Sequence, residues 1–287
     1  MSPGSAEVRP PPRQDPRVRL LGRLLFALWV AGATLIVFFP LYLVFMVSVA
    51  PGSALFGERP ALVVTEPTLW FWRRVIERGE LWAPLAKSLA VASATTLAAV
   101  TIAAPAAYVI ARLRPEIRYP LVLALLVTRM FPEFAIGVSV ASWFARLGLV
   151  DDYAGLILAH LVGSLPFVAW ILVGTFAGIP PELEQAASID GASRVGALVR
   201  VVLPVAGPGV AVAALFVWLY SWNEFLYARL LTTSQNTLPL QVFQAIDRGS
   251  RQQMAAVAAV LVLPIAGIVA LLQRQLRPGA LAGAVRG

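Results

Sequence analysis

The chain has 287 residues, 59 % of them hydrophobic and only 13 % charged, with a formal net charge of +8 carried by arginine and the single lysine, Lys87. Soluble domains carry about 25 % charged residues, so this composition excludes one and describes a polytopic membrane protein. The absence of cysteine excludes disulfides and thiolate chemistry, the lone His160 excludes a multi-histidine metal site, and Lys87 follows Ala86 where a Walker A loop needs glycine.

Residues 1–19, proline-rich up to Asp15, read as a disordered tail. Residues 20–49 form the first predicted transmembrane helix, whose apolar window Leu24–Val49 exceeds the roughly 7–15 residues of a secretory signal and reads as a retained anchor. A loop over 50–84 follows, with Trp70, Trp72 and Trp82 as interfacial anchors. The second span, Ser88–Ala111, is crowded with small residues, among them Ala92, Thr95, Ala99 and Ala103. Such a face lets a helix approach closely, and either an internal neighbour or a second subunit fits it. The third span, Tyr119–Ala145, is interrupted by Arg129 and Glu133. At about 1.5 Å per residue Arg129 lies about 15 Å deep, where an unpaired charge costs about 3 kcal/mol. Their spacing of four permits an intrahelical pair, which Pro132 between them distorts.

The fourth span, Tyr153–Ile179, contains His160, read as a helix-packing histidine with one hydrogen-bond partner. Val205–Tyr227, with Glu224 near its end, and Met254–Leu272 complete six spans of the length a bilayer requires, about 20 residues each. Arginines cluster at 9–23, 112–118 and 274–286, which lie on one side if the count is six. The positive-inside rule makes that side, both termini included, cytoplasmic. The charge thus has a topological explanation and gives no reason to invoke nucleic acid.

Between the fourth and fifth spans stands a polar island over 180–204. Pro181 suits a first helical position, and Glu182 and Glu184 complement the positive end of a helix dipole. Ala186 and Ala187 give a small face, Gly191 ends the turn in a left-handed conformation, and Ser193 caps a second helix. In that helix Val195, Leu198, Val199 and Val202 recur at i, i+3, i+4 and i+7. The prediction is a helix-turn-helix finger outside the bilayer; the competing reading is an amphipathic hairpin lying on the membrane, though the run lacks the basic character of surface-binding helices.

These residues resemble the EAA loop of permease subunits of binding-protein-dependent ABC importers, whose signature is Glu-Ala-Ala, three residues, Gly, then a downstream Pro. Here it reads Gln185-Ala186-Ala187, Ser188-Ile189-Asp190, Gly191 and Pro204. Met130-Phe131-Pro132, Leu147-Gly148-Leu149, Gly155-Leu156-Ile157-Leu158, Trp222-Asn223-Glu224-Phe225 and the tail Gly279 to Gly287 are similar to the sugar-importer branch, the maltose-type second permease. The family's acidic residue is Gln185 here, which would remove a charge-assisted bond to the partner; the neighbouring Glu184 is the candidate substitute.

The resemblance implies an all-α, six-helix membrane protein with the type I ABC importer permease fold: a five-helix core over 85–273 and a tail over 274–287. Glu182, Glu184, Gln185, Ala186, Ala187, Asp190, Gly191 and Ala192 would form the loop that couples to the ATPase. Arg129, Pro132, Glu133, Asn223 and Glu224 are the candidates to border the pathway or a gate; for Arg129 and Glu133 the competing reading is a buried structural pair. Gly283, Ala284, Val285, Arg286 and Gly287 would reach toward the ATPase dimer, or fray. The implied partners are a second homologous permease, a dimer of cytoplasmic ABC ATPase subunits, an extracytoplasmic sugar-binding protein and membrane lipid, in a bacterial inner membrane. The cargo would be a di- or oligosaccharide. The chain itself would bind no cofactor and catalyse nothing; ATP and Mg belong to the ATPase. An ion-gradient-driven secondary transporter would not need the finger, and an intramembrane enzyme would need a convergent polar set that these spans lack.

Overall fold

A computed structural model describes residues 16–52, 63–248 and 250–273, and the described residues are helical with no strand. Helix α1 spans Pro16–Val49, so residues 16–19 are its first turn and not part of a disordered tail. There follow α2 (Trp70–Glu77), α3 (Trp82–Ala111), α4 (Pro115–Met130, its last turn 3-10), α5 (Glu133–Arg146) and α6 (Tyr153–Ala177). The chain continues through α7 (Glu182–Ile189), α8 (Arg194–Val205), α9 (Gly207–Asn223), α10 (Leu226–Leu231), α11 (Leu238–Arg248) and α12 (Arg251–Gln273).

Four helices are long and apolar enough to cross a bilayer alone, and six spans result if each of two bent pairs counts as one. The third predicted span is one of these pairs: α4 and α5 meet at 83°. Phe131, preceding a proline, turns extended with ψ 140°, and Pro132 cannot supply the N–H that would continue the helix. The second pair, α8 and α9, meets at 82° around Ala206, between Pro204 and Pro208. The fifth predicted span is correspondingly shorter, a 17-residue α9 that ends at Asn223 and not at Tyr227.

The core forms where small residues allow close approach. Ala99, Ala103, Ala107 and Ala111 run down one face of α3 and are buried, packed with Val168, Leu172 and Phe176 of α6 and Ala213 and Val217 of α9. The small-residue face thus meets internal neighbours, where van der Waals contact holds membrane helices together. Two other small residues of α3, Ser93 and Ala106, are exposed and lie off this face. Helix α1 runs along α12, with Gly52 just past its end lying against Gln252 at the start of α12. It leaves large apolar side chains such as Phe26, Trp29, Ile36 and Phe38 exposed. In water that surface would be an aggregation liability, whereas hydrocarbon accepts it.

The bundle has two distinct ends. At one, Trp72 Nε1 donates to Ser48 Oγ (3.0 Å), and Lys87 is buried with Nζ donating to Gln235 O (2.6 Å). Trp72 is therefore a packing residue, while Trp70 and Trp82 stay exposed. Asp151 accepts from the backbone of Thr233 (2.7 Å) and Ser234 (3.0 Å) and from the Thr233 hydroxyl, which holds its carboxyl down at about 2. At the opposite end stand Arg112, Arg114, the start of α4, the end of α6 and the finger.

Candidate functional site, a finger and a polar cleft

The finger is α7 and α8. Ala192 N donates to Ala187 O (2.9 Å) and Gly191 N to Ser188 O (3.1 Å), the paired bonds of a Schellman turn, with Gly191 at φ +84°. Ser193 then accepts from Gly196 N (3.1 Å) as the N-cap of α8. Pro181 stands at the N-cap position of α7, one residue before the predicted first helical position and without a side-chain cap, and Glu182 and Glu184 occupy the first turn.

The predicted apolar stripe of α8 divides. Leu198 and Val202 are buried in the bundle core, whereas Val195 is 70 % and Val199 55 % exposed. One π-helical turn over Leu198–Val202 widens the helix at this point. Ile189 is 86 % exposed, and Leu183 is exposed as well. The finger therefore has an apolar root and an apolar crown. Gln185, Ala186 and Asp190 are exposed, while Ala187 and Ala192 are half-buried.

Glu184 corrects the sequence reading. Its carboxylate accepts from Arg112 Nε (2.7 Å) and Nη2 and from Tyr108 Oη (2.6 Å), and its side chain is 16 % exposed. A carboxylate occupied on both oxygens from within the chain does not stand in for the missing acid at Gln185. Arg112 and Tyr108 were invisible as site residues because they lie 72 and 76 positions away.

The second feature is a cleft of about 580 Å³ between α4, α5, α6 and α9. Arg129, Glu133, Asn223 and Glu224 all line it, and Tyr220, Phe167 and Phe216 complete its walls. Pro132 faces an adjacent groove with Phe131 and Trp143. Arg129 and Glu133 do not form the expected intrahelical pair, because the break at Phe131–Pro132 puts them on different helices. Arg129 Nη1 donates instead to Gly163 O (2.7 Å), and Glu133 Oε1 accepts from Tyr220 Oη (2.5 Å). The Arg129 guanidinium also lies over the Tyr220 ring, 5.4 Å from its centroid. Gly163 is ten residues into α6, about 15 Å from its Tyr153 end, so the cluster sits near mid-bundle. A Cβ at Gly163 would overlap Tyr220 Oη, so glycine is what lets this cluster close.

Glu224 is buried beneath the cleft. It caps α10 by accepting from Tyr227 N (2.7 Å) and Ala228 N (3.1 Å), and its Oε2 lies 3.2 Å from His160 Nε2. His160 Nδ1 is 2.7 Å from Ser221 Oγ. The histidine thus has the expected hydrogen-bond partner and, in addition, a carboxylate that sequence reasoning missed. Spare capacity lies with the others. Asn223 uses its amide N on Leu219 O (2.8 Å), and among the described residues nothing engages its Oδ1, Arg129 Nε and Nη2, or Glu133 Oε2. Gly283, Ala284, Val285, Arg286 and Gly287 lie outside the described residues.

Residues 103–281 match the family described as binding-protein-dependent transport system inner membrane component. The chain is 34 % identical over 270 residues to the trehalose transport system permease protein SugB of Mycobacterium tuberculosis, covering 90 % of this chain and 97 % of that one. It is 30 % identical over 278 residues to the trehalose/maltose transport system permease protein MalG of Thermococcus litoralis, covering 94 % and 99 %. Among solved structures, a bacterial ABC transporter involved in import of the acidic polysaccharide alginate superposes with a TM-score of 0.72 at 20 % identity, covering 92 % of this chain and 99 % of that one. The fold is that of type I ABC importer permeases. The chain belongs to the family of inner membrane components of binding-protein-dependent transport systems.

Proposed function

We propose that the chain is one of two transmembrane subunits of an ATP-driven importer that receives a di- or oligosaccharide from an extracytoplasmic binding protein. The finger is the observation that carries this reading. It places exposed Ile189, Val195 and Val199 on a capped helix pair at the arginine-rich end of the bundle. Such an exposed apolar crown is a docking surface, and its occupant is the cytoplasmic ATPase dimer, which binds ATP and Mg and performs the hydrolysis. Arg112, Arg114 and Arg118 at the same end support a cytoplasmic finger and cytoplasmic termini. The relatives' names support the sugar class.

Closure of the ATPase moves the finger, and the finger swings the bundle between inward- and outward-facing states. The cleft is this subunit's share of the pathway. Its free donors on Arg129 and free acceptors on Glu133 and Asn223, set among aromatic faces, suit a neutral polyhydroxylated cargo that offers both. Purification of the chain from its own membrane tests the reading. An ATPase and a second permease should come with it, and the cognate binding protein should retain a sugar; recovery without an ATPase contradicts the assignment.

A further inference from the structure

The finger joins the rest of the chain at two bends, the turn at 179–181 and the 82° break at Ala206. Leu198 and Val202 anchor α8 in the bundle core, but α7, with no buried residue, hangs from the turn at 179–181 and from α8, and alone it would yield to a push instead of passing it on. Something else must therefore fix it if motion is to travel through it.

Arg112 occupies the place where that bond is needed. It ends α3, and its guanidinium reaches two further elements: Nη1 donates to Phe176 O (3.0 Å) in the last turn of α6, while Nε donates to Glu184 Oε1 (2.7 Å) in α7, joined there by Nη2. Tyr108, one turn back on α3, takes the other carboxylate oxygen (2.6 Å). The arginine fork and the carboxylate are thus both engaged, with side chains 23 % and 16 % exposed, where salt screens them little. No residue of α7 is buried, so this side-chain network, together with packing on α8, is what holds α7.

We infer that Arg112 is a positioning residue whose clamp on Glu184 makes finger and bundle turn as one body when the ATPase closes. The inference rests on the importer reading. It assigns to Arg112 and Tyr108 a part in transmission and to Glu184 a partner inside the chain. An element with two discrete arrangements transmits force only through parts that do not yield between its ends. The planar fork matters as well as the charge, because a lysine ammonium would pair with one oxygen as a point and leave rotation about it free.

The absence of cysteine from this chain allows two spin labels to be placed, at Ser188→Cys on the finger, exposed but outside the apolar crown, and at Leu97→Cys on the exposed face of α3. In the assembled transporter, the finger–bundle distance should be single and narrow, and the same without nucleotide and after trapping with ATP and vanadate. Arg112→Gln should broaden or shift that distance on trapping while the ATPase still co-purifies. Stimulation of hydrolysis by the binding protein should fall about fivefold or more. The swap Arg112→Glu with Glu184→Arg should restore the narrow distance, a rescue that loss of packing alone would not give. Should Arg112→Gln fail to assemble, Arg112→Lys is measured the same way. A broadened distance then supports the clamp. Distances and stimulation unchanged from the unmutated chain in whichever variant assembles would overturn it. A complex that never contains an ATPase would instead sink the importer reading, so the two failures are distinguishable.

Discussion

At the root of the finger, Arg112 and Glu184 direct their hydrogen bonds at each other and at Tyr108 and Phe176. In the cleft, Arg129 and Glu133 lie four positions apart and never meet; each makes one bond to a different helix and leaves further valence open. Both clusters carry charge into an apolar protein, yet they answer its cost differently. A charge closed on a partner across elements fixes structure. A charge left half-satisfied beside a cavity is available to something that enters it. Loss of the closed cluster should therefore loosen the finger and its transmission of motion, and loss of the open one should weaken recognition in the cleft.

Gly163→Ala should produce the largest effect at the cleft, because the new Cβ must displace the Tyr220 hydroxyl that Glu133 holds. Overpacking of this kind costs about 1–3 kcal/mol, read as a lower thermal midpoint together with loss of uptake. Arg129→Ala sharpens the contrast. The side chain is exposed to the cleft, so stability should change by no more than about 0.5 kcal/mol, while uptake of the sugar that the binding protein retains should fall about tenfold, one hydrogen-bond's worth of recognition by a charged group. Equal losses of stability and uptake would erase the distinction between the two regions. Ser193→Ala removes the cap of α8 and should cost about 1 kcal/mol, measured as faster proteolysis of the finger with unchanged cleft function. The smallest effect is at the opposite end. The folded Asp151 carboxyl sits at about 2 against an ordinary 3.8, so its contribution is complete above pH 3.8 and disappears as pH falls toward 2. Asp151→Asn should flatten that acid limb of the stability profile and leave neutral-pH transport unchanged.

Local features were legible in the sequence because their causes are local. Gly191 and Ser193 lie beside the turn and cap they create, and the alanine spacing of α3 announces a close-packed face. Prolines were legible as residues but not as angles. Pro105 and Pro166 sit inside continuous helices, whereas Pro132 stands at an 83° break, and the difference is whether the preceding residue turns extended. The cost of charge in a span singles out Arg129 and Glu133 in the sequence, yet the break at Phe131–Pro132 decides their partners. The Arg112–Glu184 clamp and the His160–Glu224 contact join residues 72 and 64 positions apart, and nothing in a periodic pattern encodes such a meeting. The division of the α8 stripe into root and crown depends likewise on how α8 is set against the bundle.

In the importer reading, a cytoplasmic motor grips this chain by the crown of its finger. Because the chain lacks cysteine, Ile189→Cys offers one thiol at the crown for a short bifunctional cross-linker applied to intact membranes. The expected product contains this chain and an ATPase subunit and forms from the cytoplasmic side only. A thiol that instead reacts with a membrane-impermeant reagent from outside the cell, and yields no such product, would contradict it.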